Sequence, residues 1–214
     1  MKIQRYVLGE LATNCYLLID EESGEAAIID PADDAERLRR AVRDAAVTLR
    51  YILLTHGHRD HTLAAPQLHE LFPDAEVYIH AADKGAVGLY SNPMDELIGD
   101  ALNLYGEGDT LPLGGLTIEV LHTPGHTGGS VCLKCVHGDS RAPLTSDSHA
   151  LFTGDTLFAG SMGRIDLPGA QPDRMFSSLA RLARIEGEYD VLPGHGETST
   201  LSHERQYNLY LRML

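Results

Sequence analysis

The stretch Thr55-His56-Gly57-His58-Arg59-Asp60-His61 packs three imidazoles and a carboxylate into the six residues from His56 to His61. Such a run has no packing purpose, and its imidazoles would repel one another if protonated, so it points to bound cations. It follows Tyr51-Ile52-Leu53-Leu54, an apolar run that reads as a strand. Three more ligand-type residues repeat this arrangement: His126 after Leu116 to Leu121, Asp155 after Ala150-Leu151-Phe152, and His195 after Tyr189-Asp190-Val191-Leu192. Strands that release polar residues at one end can build a single site from distant segments, as layered α/β folds do.

Charge accounting favours hydrolysis at such a site. Five neutral imidazoles add nothing and two carboxylates add −2, so two divalent cations with a bridging hydroxide leave a centre of about +1, suited to an oxyanion. Two metals roughly 3.5–4 Å apart activate a shared water and polarise a carbonyl or phosphoryl oxygen, so no Ser or Cys nucleophile is required. With nitrogen and oxygen donors alone zinc leads, and iron and manganese fit the same set. His69, His80, His122, His137, His149 and His203 stand outside the pattern and read as ordinary capped or exposed histidines. His122, four residues before His126, reads as structural rather than as its hydrogen-bond partner.

Composition fits one compact domain over residues 1–214, with 43% hydrophobic residues and no Pro/Ser/Gly-rich linker or repeat. Thirty-one acidic against seventeen basic residues give a formal charge of −14, which repels a phosphate backbone and argues against nucleic acid as a partner. Neither a signal-type apolar segment at Met1-Lys2-Ile3-Gln4-Arg5-Tyr6 nor a run approaching the ~20 apolar residues of a membrane span is present, so the expected location is the cytoplasm and the expected partner a small-molecule substrate. Oligomeric state is not encoded in any feature of the chain. Cys132 and Cys135 form a C-x-x-C, but their odd separation in the strand-like run Ser130 to Cys135 sends them to opposite faces, which reads as two half-buried thiols.

The order of elements predicts an α/β protein. Strands are expected at Ile3 to Leu8, Cys15 to Ile19 and Ala26 to Ile29, then a helix from Asp33 to Ala46 capped by Asp33 or Asp34. After the strand Tyr51 to Leu54 come a helix from about Thr62 to Leu71 and a strand from Glu76 to Ile79. Strands resume at Leu116 to Leu121, Gly129 to Cys135 and Ala150 to Phe152, followed by a helix from Pro172 to Arg184, the strand Tyr189 to Leu192 and a terminal helix from about Ser202 to Leu214. Two halves, each of strands followed by helix, suggest two mixed sheets face to face with helices outside.

The string His-x-His-x-Asp-His at His56 to His61, followed by His126, Asp155 and His195, resembles the metallo-β-lactamase superfamily, and within it the glyoxalase II-like hydrolases, including short bacterial forms that end soon after the last ligand. The resemblance covers most of the chain and implies an αββα sandwich with metals at the sheet edges. It implies that His56, His58 and His126 hold one metal, that Asp60, His61 and His195 hold the other, and that Asp155 bridges them. β-Lactamases of this fold carry Cys or Ser where Asp155 stands, so antibiotic hydrolysis is not the expected main activity. Flavodiiron proteins carry Glu in place of His58, and RNA-processing relatives need an inserted gripping domain for which no segment is long or basic enough.

The expected reaction is attack of metal-activated hydroxide on a thioester carbonyl such as that of S-lactoylglutathione, with Asp60 orienting the attacking water. A mononuclear-iron persulfide dioxygenase, using His56, His58 or His126 plus Asp155, is the alternative in another reaction class, and a lactonase presents a similar carbonyl. A non-catalytic metal-binding module is disfavoured by the complete ligand set. Arg164, in Gly160-Ser161-Met162-Gly163-Arg164-Ile165-Asp166, is the candidate for orienting an anionic substrate, against a tie to Asp166 or to backbone that merely shapes the loop. Asp83 to Leu104 reads as a lid or a solvated excursion. Val136 to His149 reads as a polar excursion or an oligomer contact. Fewer than twenty residues follow His195, so the helical domain with which full-length glyoxalase II holds glutathione is not expected here, and substrate affinity is expected to come from the metals and nearby loops.

Overall fold

The computed structural model describes residues 1–86, 90–138 and 149–214. β1 (Lys2–Leu8), β2 (Thr13–Asp20) and β3 (Glu25–Ile29) form an antiparallel meander. α1 (Ala35–Asp44) then carries the chain to β4 (Thr48–Leu53), which lies parallel to β3. Local chemistry accounts for α1: the Asp34 carboxylate accepts the Arg37 N–H as an N-cap, and Ala35, Leu38 and Val42 recur at helical spacing on its buried face.

The helix expected from about Thr62 to Leu71 starts later, as α3 (Ala65–Leu71), and is preceded by a separate four-residue turn, α2 (Arg59–Thr62), inside the ligand-type run. Pro66 explains the break, because its ring would clash with the carbonyl four residues earlier, whereas the first turn of a new helix tolerates it. β5 (Glu76–His80), α4 (Met94–Ile98) and β6 (Leu102–Tyr105) complete a six-stranded sheet in the order β1-β2-β3-β4-β5-β6.

The second half contains β7 (Thr110–Leu113), β8 (Leu116–His122), β9 (Val131–His137), β10 (Ala150–Gly154) and a two-residue ribbon, β11 (Leu157–Phe158) with β12 (Ser161–Met162). α5 (Pro172–Ala183), β13 (Asp190–Pro193), β14 (Ser199–Thr200) and α6 (Leu201–Tyr207) follow. The second sheet runs β14-β13-β10-β9-β8-β7, with β10 and β13 parallel. The terminal helix stops at Tyr207 instead of reaching Leu214, since the Asn208 side chain accepts the N–H groups of Tyr210 and Leu211 and offers the backbone a local turn in place of the next helical one.

Alternation along the strands builds three apolar layers. Tyr16, Leu18, Ile29 and Leu53 from the first sheet meet Ile118, Val120, Leu133 and Phe152 from the second. Leu17, Ile19, Ile28 and Ile52 face outward onto Leu38, Val42 and Leu68 of the helices. Leu121, Leu151 and Val191 face the other way, onto Leu179, Leu182 and Leu201. The fold is therefore an αββα sandwich. Cys132 packs in the outer layer and Cys135 between the sheets, on opposite faces as their spacing predicts, and both are fully buried rather than half-buried. Most of the Val136 to His149 excursion lies outside the described residues.

Phe152 is 1% exposed and meets Tyr16 edge-on with ring centroids 5.4 Å apart, at the middle of the inter-sheet layer. Phe152→Ala should cost about 3–5 kcal/mol of unfolding free energy in metal-free protein, read from urea denaturation. A loss under about 1 kcal/mol would mean that the sheets do not depend on this contact.

Candidate metal centre

Every ligand-type residue leaves its strand at a carboxyl end. β4 ends at Leu53 and is followed by His56 and α2; β8 ends at His122, before His126; β10 ends at Gly154, before Asp155; β13 ends at Pro193, before His195. β8, β10 and β13 point the same way, since β8 and β10 are each antiparallel to β9 and β13 is parallel to β10. The two sheets are stitched at this end. Asn14 N–H donates to the Gly194 carbonyl at 2.7 Å, Val131 N–H to the Thr55 carbonyl at 2.9 Å, and the Tyr16 hydroxyl to the Pro193 carbonyl at 2.7 Å.

All seven residues singled out from the sequence converge. His58 Nδ1 lies 3.1 Å from His56 Nε2 and 2.8 Å from His126 Nε2, making one three-imidazole cluster. His61 Nε2 lies 3.2 Å from His195 Nε2, and Asp60 Oδ2 is 3.5 and 3.2 Å from these two nitrogens, making the second. Asp155 stands between them: Oδ2 is 3.4 Å from His126 Nε2 and 3.6 Å from His195 Nε2, and Oδ1 is 3.4 Å from His61 Nε2.

The residues fit a pair of cations. Ring nitrogens face one another at hydrogen-bond distance while four of the five rings have their other nitrogen already committed, and Asp155 Oδ1 is buried without a hydrogen-bond partner. His61 Nδ1 donates to Asp30 Oδ2 at 2.9 Å, His126 Nδ1 to the Arg164 carbonyl at 2.8 Å, and His195 Nδ1 to the Leu11 carbonyl at 3.2 Å. His56 Nδ1 lies 3.1 Å from Thr55 Oγ1, whose own proton goes to Asp30 at 2.7 Å. Each bond commits Nδ1 and leaves Nε2 as the inward-facing nitrogen, whose lone pair serves a metal once the ring is neutral.

Two carboxylates not singled out from the sequence hold this arrangement. Asp30 sits in the left-handed region with φ 51° and also accepts the Thr55 N–H at 2.8 Å. It lies close enough to His56 and His61 to form a third ligand-type group with them, but it meets His61 on the Nδ1 side and therefore orients the ring. Its signal was available, for Ile28-Ile29-Asp30-Pro31 repeats the strand-end pattern of the other segments. Asp83 joins two ligand loops by accepting from Gly57 N–H at 2.9 Å, Thr127 Oγ1 at 2.6 Å and Gly129 N–H at 2.8 Å. A turn aspartate after β5 carries no periodic signal. At Gly194, an added Cβ would collide with Asp155 Oδ1 and His61 Cε1, so only glycine lets β13 approach.

His122 takes no part: it stacks on His80 at 4.1 Å and its Nε2 meets the Gly128 carbonyl. Arg164 binds Asp166 through Nε and Nη2, both at 2.9 Å, while also lining the chamber above the centre. That chamber, about 350 Å³, is walled by Leu11, Tyr90, Phe158 and Leu167. Tyr90 reaches it because residues 90–92 are tied to the ligand loop, with Arg59 N–H donating to the Tyr90 carbonyl and Asn92 N–H to the Gly57 carbonyl. This part of the Asp83 to Leu104 stretch thus covers the centre, and residues 87–89 lie outside the described ones.

Burial and the neighbouring imidazoles push the His58 pKa down to about 4 and that of His56 well below its usual value. Burial acts the same way on His61, but Asp155, Asp30 and Asp60 override it and raise its pKa to about 9; His195 is raised against burial by its hydrogen bond to Asp60. In metal-free protein at pH 7, His61 is therefore an imidazolium, while His56 and His58 are neutral. His61, raised above its unfolded value, stabilises the metal-free fold below about pH 6.5 and loses that contribution as pH rises through about 9; His58, lowered, removes stability as pH falls from about 6.5 through about 4. Loading zinc at pH 7 should release about one proton, that of His61, measured by calorimetric titration in buffers of different ionisation heats. Zero release would place His61 outside the metal-binding set.

Comparison with known proteins identifies the family. The profile of the metallo-β-lactamase superfamily matches residues 8–196. Hydroxyacylglutathione hydrolase GloC of Haemophilus influenzae is 31% identical, covering 99% of this chain and 98% of that protein. BLEG-1, a B3 metallo-β-lactamase, superposes with a TM-score of 0.78 at 30% identity over 98% of this chain and 99% of its own. TTHA1623 in a di-iron-bound form does so with a TM-score of 0.75 at 34% identity over 97% of this chain and 100% of its own. No helix among the described residues is long and apolar enough to cross a membrane. With its fold, its clustered ligand residues and a family match spanning most of its length, the chain belongs to the metallo-β-lactamase superfamily of metal-dependent hydrolases.

Proposed function

We propose that this protein is a dinuclear metal-dependent thioester hydrolase of the glyoxalase II type. The observation that carries the reading is the pair of clusters sharing Asp155, whose buried Oδ1 has no hydrogen-bond partner. His56, His58 and His126 would hold one ion, Asp60, His61 and His195 the other, and Asp155 both. Zinc is the metal proposed, with iron or manganese suited to the same donors. The chemistry such ions supply when bound is Lewis acidity, which brings the pKa of water towards neutrality and polarises a carbonyl oxygen.

The chain's own groups supply orientation and exclusion of solvent. Asp60 is kept ionised: burial opposes this, but hydrogen bonds from His195 and from Thr13 Oγ1 at 3.0 Å hold its carboxyl far below the usual range. It lines the chamber as an acceptor that can orient an attacking water. Leu11, Phe158 and Leu167 supply apolar walls for an acyl group. Arg164, at the same chamber, is proposed to contact an anionic substrate through the Nη1 edge left free by Asp166. The 31% identity to a hydroxyacylglutathione hydrolase over nearly both full lengths supports the thioester as substrate.

Metal-loaded protein should hydrolyse S-lactoylglutathione and simple acyl thioesters faster than the β-lactam nitrocefin, followed by thiol release and by absorbance. Faster nitrocefin cleavage would replace the thioester reading, and oxygen uptake on glutathione persulfide with one iron per chain would move it to a dioxygenase. Asp155→Ala should lower metal content from nearly two ions per chain and reduce turnover by at least about 10³-fold, while His203→Ala leaves both close to wild type. Near-normal hydrolysis by Asp155→Ala would exclude the dinuclear reading.

A further inference from the structure

A second cavity, of about 470 Å³, opens beside the chamber and is lined by Glu10, Leu11, Asp33, Arg59, Leu63 and Tyr90 among others. It shares Leu11, Asp60 and Tyr90 with the chamber over the metal centre, so the two are adjoining parts of one groove. The large apolar side chains of its wall are exposed: Leu11 is 65%, Leu63 43% and Tyr90 48% accessible. Apolar surface held open next to a reaction centre is a feature of substrate grooves.

The charges in this cavity have a particular distribution. Arg59 lies within the ligand run itself, between His58 and Asp60, and its backbone is fixed by the bond to Tyr90. Its guanidinium has no hydrogen bond or ion pair with any described residue, although Glu10 and Asp33 line the same cavity. Among the described residues, the Asp33 carboxylate, which lies beside Gly9, accepts only the N–H of Asp34, through Oδ1. By contrast Arg164, at the far side of the chamber, is closed onto Asp166 by two bonds. The adjoining cavity thus presents one cation and two anions of the chain, in addition to Asp60, without pairing them internally. A ligand carrying both signs would complete these interactions, whereas a simple anion would meet the repulsion of Glu10 and Asp33, and a simple cation that of Arg59.

We propose that this side groove is a specificity subsite for a zwitterionic α-amino-acid head group at the far end of the substrate. Its carboxylate engages the Arg59 guanidinium, its ammonium engages Glu10 and Asp33, and the arm between head and reacting carbonyl lies along Leu11, Leu63 and Tyr90. The assignment deepens the thioester hydrolase reading and rests on it for the position of the carbonyl, while the head-group contacts are testable without turnover.

Three acetyl thioesters separate the contributions: S-acetylglutathione, whose γ-glutamyl end is zwitterionic; the same compound acetylated on its amine, which keeps the carboxylate and loses the ammonium; and S-acetyl-N-acetylcysteamine, which is neutral. Wild-type kcat/KM should fall in that order. Arg59→Met should reduce the ratio of the first substrate to the third by roughly tenfold or more, chiefly through KM, and Arg59→Lys should restore part of it. The Glu10→Gln/Asp33→Asn double variant should compress the ratio of the first to the second. S-Methylglutathione, which cannot be hydrolysed, provides a binding readout: its Kd by calorimetry should rise roughly tenfold in Arg59→Met. Ratios and Kd unchanged within about twofold in Arg59→Met would overturn the subsite even if every thioester is cleaved. Arg59-dependent binding of S-methylglutathione with no cleavage of any thioester would instead retain the subsite and refute the hydrolase reading.

Discussion

The chain gathers five imidazole rings around one buried carboxylate, Asp155, and the remaining architecture follows from the need to hold that group together. Imidazoles at such spacing repel when protonated and gain little from one another when neutral, so the arrangement depends on groups that fix four of the five rings from behind. Asp30, Thr55 and the carbonyls of Leu11 and Arg164 do this, each by taking an Nδ1 proton. These anchors come from four separate loops, and the loops are aligned by two sheets whose strands finish at the same edge. Close approach of β13 depends in turn on the absence of a side chain at Gly194. Backbone order, packing and ionisation state at the centre are thus one problem with one solution.

The order of strands and the layered class were legible because each strand is a short β-rich run that ends abruptly in polar residues. The gathering of these side chains was legible for the same reason: all seven named from the sequence meet in space, although nothing in their spacing alone distinguishes which ones would share an ion. β6, β7 and the two-residue strands β11, β12 and β14 were not legible, as such short pairings are created by their neighbours rather than by their own periodicity. Helix limits failed where one residue changes the outcome, at Pro66 and at Asn208.

The supporting carboxylates divide in an instructive way. Asp30 stands at the end of a strand and could have been recognised by analogy with Asp155, yet an isolated acid beside a proline is common in turns. Asp83 is invisible in sequence because its work is done across the fold, on Gly57, Thr127 and Gly129 at once. Arg59 and Arg164 show the reverse case. Both are conspicuous by position, but only the structure shows that one is paired and the other is not.

The stitching between sheets has a thermodynamic consequence. His56, His58, Asp60 and His61 belong to the half of the chain that builds the first sheet, whereas His126, Asp155 and His195 belong to the half that builds the second. Each of the two clusters therefore draws on both halves, and so do the bonds of Asn14 and Tyr16 to Gly194 and Pro193. An ion captured by either cluster favours the docked arrangement over any state in which one half has come away, and its binding energy is added to the cohesion of the interface between the sheets. Metal supply would then govern how long the folded chain resists proteolysis, independently of any substrate it turns over.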